Sequence, residues 1–426
     1  MLRRSFGLLI GLLALAACGG PDLPRPAAYA PLPRLAPAPP RPGPGTVPLS
    51  TAIPAGRGVA ILAPLSGANA ERGQALVAAA KLALAAPDSP ALDVRDTGST
   101  PAGAAAAAQA AIAAGAGILL GPLTAAETAA VAGPARAAEV PVLAFTNDSS
   151  QAQPGVWTLG ITPGQQVRRL VGAMAAQGKT RFAAVLPQTE FGNAMANALG
   201  EAVGTAGLPA PDIRSYPPGM AALNAAMRDL SAYASRRGPI DAQIRQARAL
   251  HTAEGRKRAA ELVREPIPPP PFDALLLADT GDTLSTLASL LPYYDLDPPA
   301  VRVLGPALWA APAARGNAGL IGANYAAPDP ALRADFDARY SAAAGTPAPG
   351  LADFAYDAAA IARLLAQGGG YSVAALCRPE GFAGVDGVLA LQPDGKLRRG
   401  LALFEIQRGG PAMVEPAPDN LASPGI

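Results

Sequence analysis

Residues 58–67 read GVAILAPLSG, a short apolar run that ends at a proline and a small polar turn. A long Ala-rich segment follows, so this order predicts a strand, a loop and a helix, the first βα unit of an α/β domain. The unit recurs, with further strands predicted at 92–95, 118–120 and 140–145 and helices at 72–85, 103–114 and 125–138. These strands are nearly all apolar, as a parallel sheet covered by helices on both faces requires.

The same pattern starts afresh after residue 160. The second set has strands predicted at 182–186, 274–277 and 301–304 and helices predicted at 165–176 and 192–206. Near the end, apolar runs at 387–392 and 399–406 flank a Pro-Asp-Gly-Lys turn, which predicts a β-hairpin. Two such sets predict an α/β protein with two lobes, whose ligands would bind in a cleft at the carboxyl ends of the strands.

The N-terminus has the features of an export signal. Two arginines precede the apolar run at 8–17, which is too short to span a membrane. Residues 15–18 read LAAC and resemble the bacterial lipobox, in which Cys18 becomes the lipidated first residue; a chance cysteine after a signal peptide is the alternative. Gly19 follows, and the same resemblance then implies sorting to the outer membrane. We therefore predict a lipoprotein signal peptide at 1–17 and membrane attachment through the lipid.

Residues 18–55 are rich in proline and alanine and have neither a helical nor a strand period. This composition predicts a tether with polyproline character rather than a folded domain. Fully extended at about 3.1 Å per residue, it would reach roughly 100 Å. Such a tether would hold a folded head well away from the membrane surface.

Charge and composition exclude several classes of function. The formal net charge is +2, and without residues 1–17 the acidic and basic side chains balance, which leaves no electrostatic case for binding nucleic acid. The chain has one histidine, His251, and two cysteines, so we expect no metal site, no cofactor and no enzymatic activity. With Cys18 lipidated, Cys377 has no disulfide partner and is expected to be a buried or unreactive thiol.

One motif is misleading because of its context. Residues 172–180 read GAMAAQGKT, close to a phosphate-binding loop, but five residues separate the glycines where four are needed. The predicted order is also helix, Gly178, strand, whereas a phosphate loop leads from a strand into a helix. Gly178 is better interpreted as the end of a helix.

A second motif occurs twice. Residues 96–98 and 279–281 both read Asp-Thr-Gly, the paired signature of aspartic proteases. Those proteases are almost entirely β, whereas the segment between the two motifs contains several long Ala-rich helices. The favoured interpretation is that both are turns between a strand and a helix.

Polar residues that follow successive strands form the candidate ligand site, because the carboxyl ends of parallel strands meet at one edge. Hydroxyls and helix N-termini suit a carboxylate, an aspartate suits an ammonium group, and a phenylalanine would cover an apolar part. Ordinary caps and turns are the alternative for each residue. The candidates are Ser66, Asn69, Gly121, Thr124, Thr146, Asn147, Asp148, Phe191, Asp279 and Thr280.

The segment 236–271 interrupts the βα pattern. Its first thirty residues carry eight basic and four acidic side chains, and a proline-rich run follows. We predict a basic helical insertion followed by a stiff loop, either as a solvated helix face or as a patch that binds a partner. The candidate patch consists of Arg236, Arg237, Arg245, Arg248, Arg256, Lys257 and Arg258.

With these residues in place, the chain resembles the type 1 periplasmic-binding-protein fold from about residue 56 to 410. The matching segments are 63–67, 118–122, 140–145, 191–192 and 384–387 with the hairpin that follows. The resemblance implies a two-lobed α/β fold in which each lobe is a mostly parallel sheet flanked by helices. It also implies the domain limits 56–162 with 328–383 for lobe 1, 163–327 with 384–410 for lobe 2, and 411–426 for a tail.

Segments 95–98, 121–123 and 145–148, together with the lipobox, resemble the penicillin-binding protein activators of LppC type. That resemblance implies a non-enzymatic, outer-membrane lipoprotein that faces the periplasm and stimulates a peptidoglycan synthase. The family's N-terminal helical-repeat domain is replaced here by the proline-rich tether. The alternative is an ABC-transporter receptor for an amino acid or a similar small polar solute. Because Thr124 is followed by two alanines, the set of hydroxyls for such a ligand is thin.

Overall fold

The computed structural model describes residues 58–311 and 317–421. The predicted signal peptide, Cys18 and the predicted tether lie outside these residues, as does the end of the predicted tail. Within the described part, no helix is both long and apolar enough to cross a membrane.

The described strands and helices alternate through most of the chain. The strands are β1 Gly58–Ala63, β2 Leu92–Asp96, β3 Ala116–Leu120, β4 Val142–Ala144, β5 Val156–Thr158, β6 Phe182–Pro187, β7 Asp212–Tyr216, β8 Ala274–Leu277, β9 Arg302–Gly305, β10 Asn324–Ala327, β11 Phe382–Gly384, β12 Gly387–Leu391, β13 Leu397–Arg399, β14 Ala402–Gln407 and β15 Gly410–Glu415. The helices are α1 Ala70–Ala83, α2 Pro101–Ala113, α3 Ala125–Ala137, α4 Pro163–Ala176, α5 Glu190–Thr205, α6 Met220–Leu230, α7 Tyr233–Ala249, α8 Ala253–Arg264, α9 Gly281–Tyr293, α10 Pro330–Ala344, α11 Ala352–Gln367 and α12 Val373–Leu376.

The first sheet has the strand order β2-β1-β3-β4-β5, and all its strands are parallel. Successive side chains of β1 point to opposite faces. Val59 and Ile61 pack with α1 and α11 on one face, whereas Ala60 and Leu62 pack with α2 and α3 on the other. Both faces are therefore covered, which explains why the strand is apolar throughout.

The second sheet has the order β15-β14-β10-β9-β8-β6-β7. Strands β6 to β10 run parallel, while β14 and β15 are added antiparallel at one side. Val185 of β6 packs with α6 and α9, and Leu186 packs with α4 and α5 on the opposite face. The two sheets confirm the predicted α/β fold with two lobes.

A third, antiparallel sheet contains β11, β12 and β13. The predicted hairpin is present, since β12 pairs with β13, but its second strand ends at Arg399. Leu389 and Leu397 pack in the core under the first sheet, so residues 387–399 lie with lobe 1 and not, as the sequence suggested, with lobe 2. Residues 411–415 likewise belong to β15 rather than to a tail. The alternation of apolar and polar residues in a hairpin predicts which of its faces is buried, but it does not predict which of the two lobes buries that face.

The chain crosses between lobes three times, at residues 159–162, 328–329 and 400–401. We therefore define lobe 1 as residues 58–158 with 330–399, and lobe 2 as 163–327 with 402–415. Local signals read from the sequence are confirmed where they depend on neighbouring residues only. The Thr-Ala-Ala-Glu sequence at 124–127 forms a capping box at the start of α3, and Gly178 adopts the left-handed conformation (φ +80°) just after α4, as expected for the end of a helix.

A cluster of buried charges lies where the lobes join. The guanidinium of Arg399 is fully buried and lies 3.6 Å from the Asp357 carboxylate and 3.8 Å from that of Asp386. Its Nη2 donates to the carbonyl oxygen of Leu159 at 2.9 Å, in the first crossing segment. Arg399 therefore links α11, the turn between β11 and β12, and a crossing between the lobes.

We call the buried charged residues at this junction the hinge cluster: Arg333, Asp353, Asp357, Asp386 and Arg399. The Nε of Arg333 donates to Asp353 Oδ2 at 2.7 Å. Burial raises the pKa of Asp357 to about 7, although the charge of Arg399 opposes this shift. Burial also raises the pKa values of Asp353 and Asp386, against the effect of the neighbouring arginines. The hinge cluster thus holds three acids whose ionised forms are disfavoured by desolvation.

Candidate functional site

The cleft between the lobes is a cavity of about 840 Å³. The carboxyl ends of β3 and β4 form one wall, and the start of α5 forms the other. Phe354 of α11 also lines this interlobe cleft. Of the predicted ligand residues, the structure brings together here Thr124, Thr146, Asn147, Asp148 and Phe191.

The hydroxyl of Thr124 is already engaged within lobe 1. It donates to Glu127 Oε2 at 2.8 Å and accepts a hydrogen bond from the Glu127 backbone N–H. The buried carboxylate of Glu127 also accepts from the hydroxyl of Thr97 at 2.6 Å. The Glu127 carboxylate thus holds the start of α3 in place, and it accepts the Thr124 hydroxyl proton that a ligand carboxylate would need.

Thr146 and Asp148 also serve the local chain. The Thr146 hydroxyl accepts from the backbone N–H of Asp148 at 3.1 Å, and Asp148 Oδ1 accepts from that of Ser150 at 2.9 Å, capping a short 3₁₀ turn. Burial acts to raise the pKa of Asp148, but the hydrogen bonds from Ser150 and Gln151 outweigh it and lower the pKa. Asp148 is therefore a stable anion at the cleft wall.

Five of the ten predicted residues do not line the cleft, and three of these lie in lobe 1. The Ser66 hydroxyl donates to Asp96 Oδ2 at 2.6 Å, and this bond is the largest of several that lower the pKa of Asp96. Asn69 Oδ1 accepts from Arg72 at 3.1 Å, and Gly121 donates its N–H into the first sheet. The Asp96 carboxylate also accepts from the backbone N–H groups of Leu65 and Gly98. The Asp-Thr-Gly segment at 96–98 is therefore a turn between a strand and a helix, as predicted.

Asp279 and Thr280 line a different cavity, of about 530 Å³, at the carboxyl ends of β6, β7 and β8. We call it the lobe 2 pocket. Phe191 lies between the two cavities and lines both. The sequence analysis predicted that all ten candidates lie at one cleft. Each lobe has its own sheet, and the strand ends of the two sheets line different cavities.

Two buried polar groups face into the lobe 2 pocket. Asp279 is 8% exposed, and neither its Oδ2 nor the hydroxyl of Tyr216 has a hydrogen-bond partner in the described part of the chain. Burial raises the pKa of Asp279, and the nearby Tyr216 hydroxyl opposes that shift. The sequence analysis missed Tyr216. Its sequence signal is an aromatic residue at the end of β7, a strand whose other residues are mostly exposed.

The insertion is a helical hairpin formed by α7 and α8, which we call the basic hairpin. Ile240, Ile244 and Leu262 form a small core between the two helices, separate from the cores of the sheets. Arg236 is buried and donates to the carbonyl oxygens of Pro268, Ser231 and Tyr294. Arg236 is therefore a structural side chain that fastens the hairpin and does not belong to the predicted patch.

The other predicted basic residues lie on the outside of the basic hairpin. Arg237 pairs with Asp241 at 3.0 Å, and Arg258 with Glu261 at 3.6 Å. The remaining cations are exposed, as is Leu250 at the end of α7, of which 66% is exposed. They are Arg245, Arg248, Arg256 and Lys257.

Within residues 58–311 and 317–421, no cluster of three or more metal-ligating side chains occurs. Cys377 is a free, half-buried thiol. Burial, together with the charge of Asp394, raises its pKa to about 11, so the nucleophilic thiolate is disfavoured at neutral pH.

Solved structures show the same fold at low sequence identity. A candidate branched-chain amino acid ABC transporter protein from Rhodospirillum rubrum is 20% identical, with a TM-score of 0.63 over 84% of this chain and 99% of that one. The C-domain of LpoA from Haemophilus influenzae, described as a regulator of PBP1A, is 18% identical, with a TM-score of 0.60 over 84% and 99%. Against full-length LpoA the chain spans 59% of the length, with a TM-score of 0.60.

Among curated proteins, no sequence matches the chain significantly. The periplasmic binding protein family, in contrast, matches residues 58–411, which include both lobes. This match agrees with the two mainly parallel sheets and the three crossings between them. The chain therefore belongs to the periplasmic binding protein family and has its type 1 fold.

Proposed function

We propose that this protein is a non-enzymatic regulator of a peptidoglycan synthase of the penicillin-binding class. Lipidated at Cys18 and carried by its tether, it would face the periplasm from the outer membrane. The observation that carries the proposal is the basic hairpin. It has its own core, projects no side chain into the interlobe cleft, and exposes both cations and the apolar side chains of Leu250 and Val263. Such a surface suits a protein partner with acidic residues around an apolar centre.

The state of the interlobe cleft supports this proposal. A receptor for a free amino acid needs donors for the ligand carboxylate, and the Thr124 hydroxyl is committed to Glu127. Ser66, the other hydroxyl predicted for this role, is bonded to Asp96 and does not line the cleft. The likeness to the C-domain of LpoA supplies the fold on which the same role would be built.

The test uses the full chain as bait in an envelope extract in which penicillin-binding proteins carry a fluorescent penicillin. Charge reversal of Arg245, Arg248 and Lys257 to glutamate should reduce capture of a labelled protein at least tenfold. The captured synthase, once purified, should polymerise its lipid-linked substrate faster with the wild-type chain than with the variant. Both effects follow from losing charge complementarity at the interface.

A matched control reverses three exposed arginines elsewhere, Arg214, Arg228 and Arg339, with the same change in net charge. This control should bind and stimulate as the wild type does. Absence of any penicillin-labelled protein from the wild-type sample would refute the proposal. Equal loss in both variants would refute the role of the basic hairpin.

The lobe 2 pocket favours a second candidate function, the reception of a small polar solute. Its Asp279 Oδ2 and Tyr216 hydroxyl, both buried without a hydrogen-bond partner among the described residues, would suit the ammonium group of an amino acid. A thermal-shift screen with free amino acids tests it, with Asp279→Asn as the variant and Asp148→Asn as the control. A rise of several degrees with one amino acid, lost only in Asp279→Asn, would favour a receptor over a regulator. Flat curves with every amino acid would exclude the receptor.

A further inference from the structure

A third groove lies where α4 and α5 meet the turn between β12 and β13. It has a volume of about 790 Å³ and shares no lining residue with the interlobe cleft or the lobe 2 pocket. Val171, Ala175, Ala202 and Ala206 give it a floor of small apolar side chains. We call it the arginine groove, because two arginines from different lobes line it.

Arg168 of α4 and Arg398 of β13 are both half-buried in the arginine groove. Burial lowers the pKa of Arg398, and the neighbouring charge of Arg168 lowers it further. Both arginines line the same groove, so their like charges repel each other there. Within the described residues, no acidic side chain forms an ion pair with Arg168.

The acids at the rim of the arginine groove have partners of their own. Glu201 pairs with Lys396 across the groove, with Oε1 and Nζ 3.2 Å apart. Asp394 uses one carboxylate oxygen to accept from the backbone N–H of Lys396 at 3.0 Å, inside the turn. Three cations and two acids therefore line the groove, which leaves one excess positive charge in its lining.

We propose that the arginine groove binds a small amphipathic anion, with a carboxylate or phosphate head between Arg168 and Arg398 and an apolar part on the alanine-rich floor. Guanidinium groups bind such oxyanions through two parallel hydrogen bonds, and a bound anion would remove the repulsion between the arginines. The volume lies in the range of small-molecule sites. This site does not depend on the proposed regulatory function.

Isothermal titration of the full chain tests the site at constant ionic strength. The probes are inorganic phosphate, acetate and octanoate, which separate a phosphate head from a carboxylate head and reveal the apolar floor. We expect phosphate or octanoate to bind, and octanoate to bind more tightly than acetate, since each buried CH₂ contributes. Arg168→Gln should weaken binding at least tenfold, while Arg168→Lys should keep part of it. The control is Arg245→Gln, an exposed arginine on α7.

A structural role for Arg168 would give a different result. Because Arg168 and Arg398 repel each other, Arg168→Gln should leave the melting temperature of the unliganded chain unchanged or raise it by about 1 °C, while it removes the shift that the probe produces. A lower melting temperature together with unchanged probe affinity would overturn the proposal. Failure of all three probes to bind the wild type, or equal weakening by Arg245→Gln, would overturn it as well.

Discussion

Arg399→Met removes the buried cation of the hinge cluster and keeps most of the side-chain volume. At about pH 8 the change leaves the carboxylates of Asp357 and Asp386, 3.6 and 3.8 Å from the guanidinium, without that charge. Breaking a buried pair in this way costs about 4 kcal/mol. At about pH 5 the Asp357 carboxyl is protonated in the folded state, because its pKa is about 7. The cost should then fall to about 2 kcal/mol, which includes the lost hydrogen bond to Leu159.

The sign of the pH dependence follows from the direction of the pKa shift. Folding raises the pKa of Asp357 from 3.8 to about 7. Its contribution to stability is therefore fully present below about pH 4 and is lost as the pH rises through about 7. Between these limits the free energy of unfolding falls by about 1.4 kcal/mol per pH unit from this group alone. Without Arg399 the folded pKa rises further, so the fall continues above pH 7.

Urea unfolding followed by circular dichroism at several pH values measures both effects. The matched control is Arg339→Met, whose ion pair with Asp335, 3.6 Å long, lies in solvent. That change should cost less than about 1 kcal/mol at any pH. A cost for Arg399→Met below about 1 kcal/mol, or one that is equal at both ends of the pH range, would refute the reasoning.

Three further changes test separate parts of the fold. Gly192→Ala in the first turn of α5 should destabilise the fold by about 2 kcal/mol, because the new Cβ would collide with the carbonyl oxygen of Pro187. Gly200→Ala, on the open side of the same helix, should stabilise it by about 0.5 kcal/mol. Urea unfolding should therefore show changes of opposite sign in the free energy of unfolding. Asp279→Asn should become more stable relative to the wild type as the pH rises from about 4 to about 8, because burial raises the pKa of Asp279 in the folded state and its ionisation then costs stability. Stability curves of the two proteins that run parallel across that range would contradict this. Cys377 should react slowly with an aromatic disulfide at pH 8 and faster as the pH approaches about 11, and rapid labelling at pH 8 would contradict its raised pKa.

Central strands could be predicted from the sequence because burial on both faces leaves a continuous apolar run. β1, β3, β6 and β8 all have this pattern. β7 reads DIRSY and lies at an edge of the second sheet, where exposed charged residues hide the strand signal. The short strands β5, which reads VWT, and β10, which reads NYAA, were missed for a related reason, since Thr158 and Asn324 leave no continuous apolar run of strand length.

The roles of polar side chains could not be predicted, because their partners come from distant segments. The Ser66 hydroxyl bonds to Asp96, thirty positions away, across a parallel strand pair. Tyr216 and Asp279 meet only because β7 and β8 flank β6 in the second sheet. Arg236 turns inward because carbonyl oxygens of three other segments surround it. The positions of the strands along the chain predict which residues lie at the carboxyl edge of each sheet, but they do not predict which hydrogen bonds those residues form.

The three crossings between the lobes have a consequence for how the chain is made. The guanidinium of Arg363 on α11 donates to the carbonyl oxygen of Ala83 at the end of α1, 280 positions earlier. One face of the first sheet is thus covered by α1 alone while the ribosome makes everything between these helices. Closing so long a loop is slow, and the part of the apolar face that α11 will cover is prone to aggregate until then. Lobe 1 starts first but is completed only at residue 399, after most of lobe 2 has been made, so a nascent chain that stops before α11 leaves part of that apolar face exposed to aggregation.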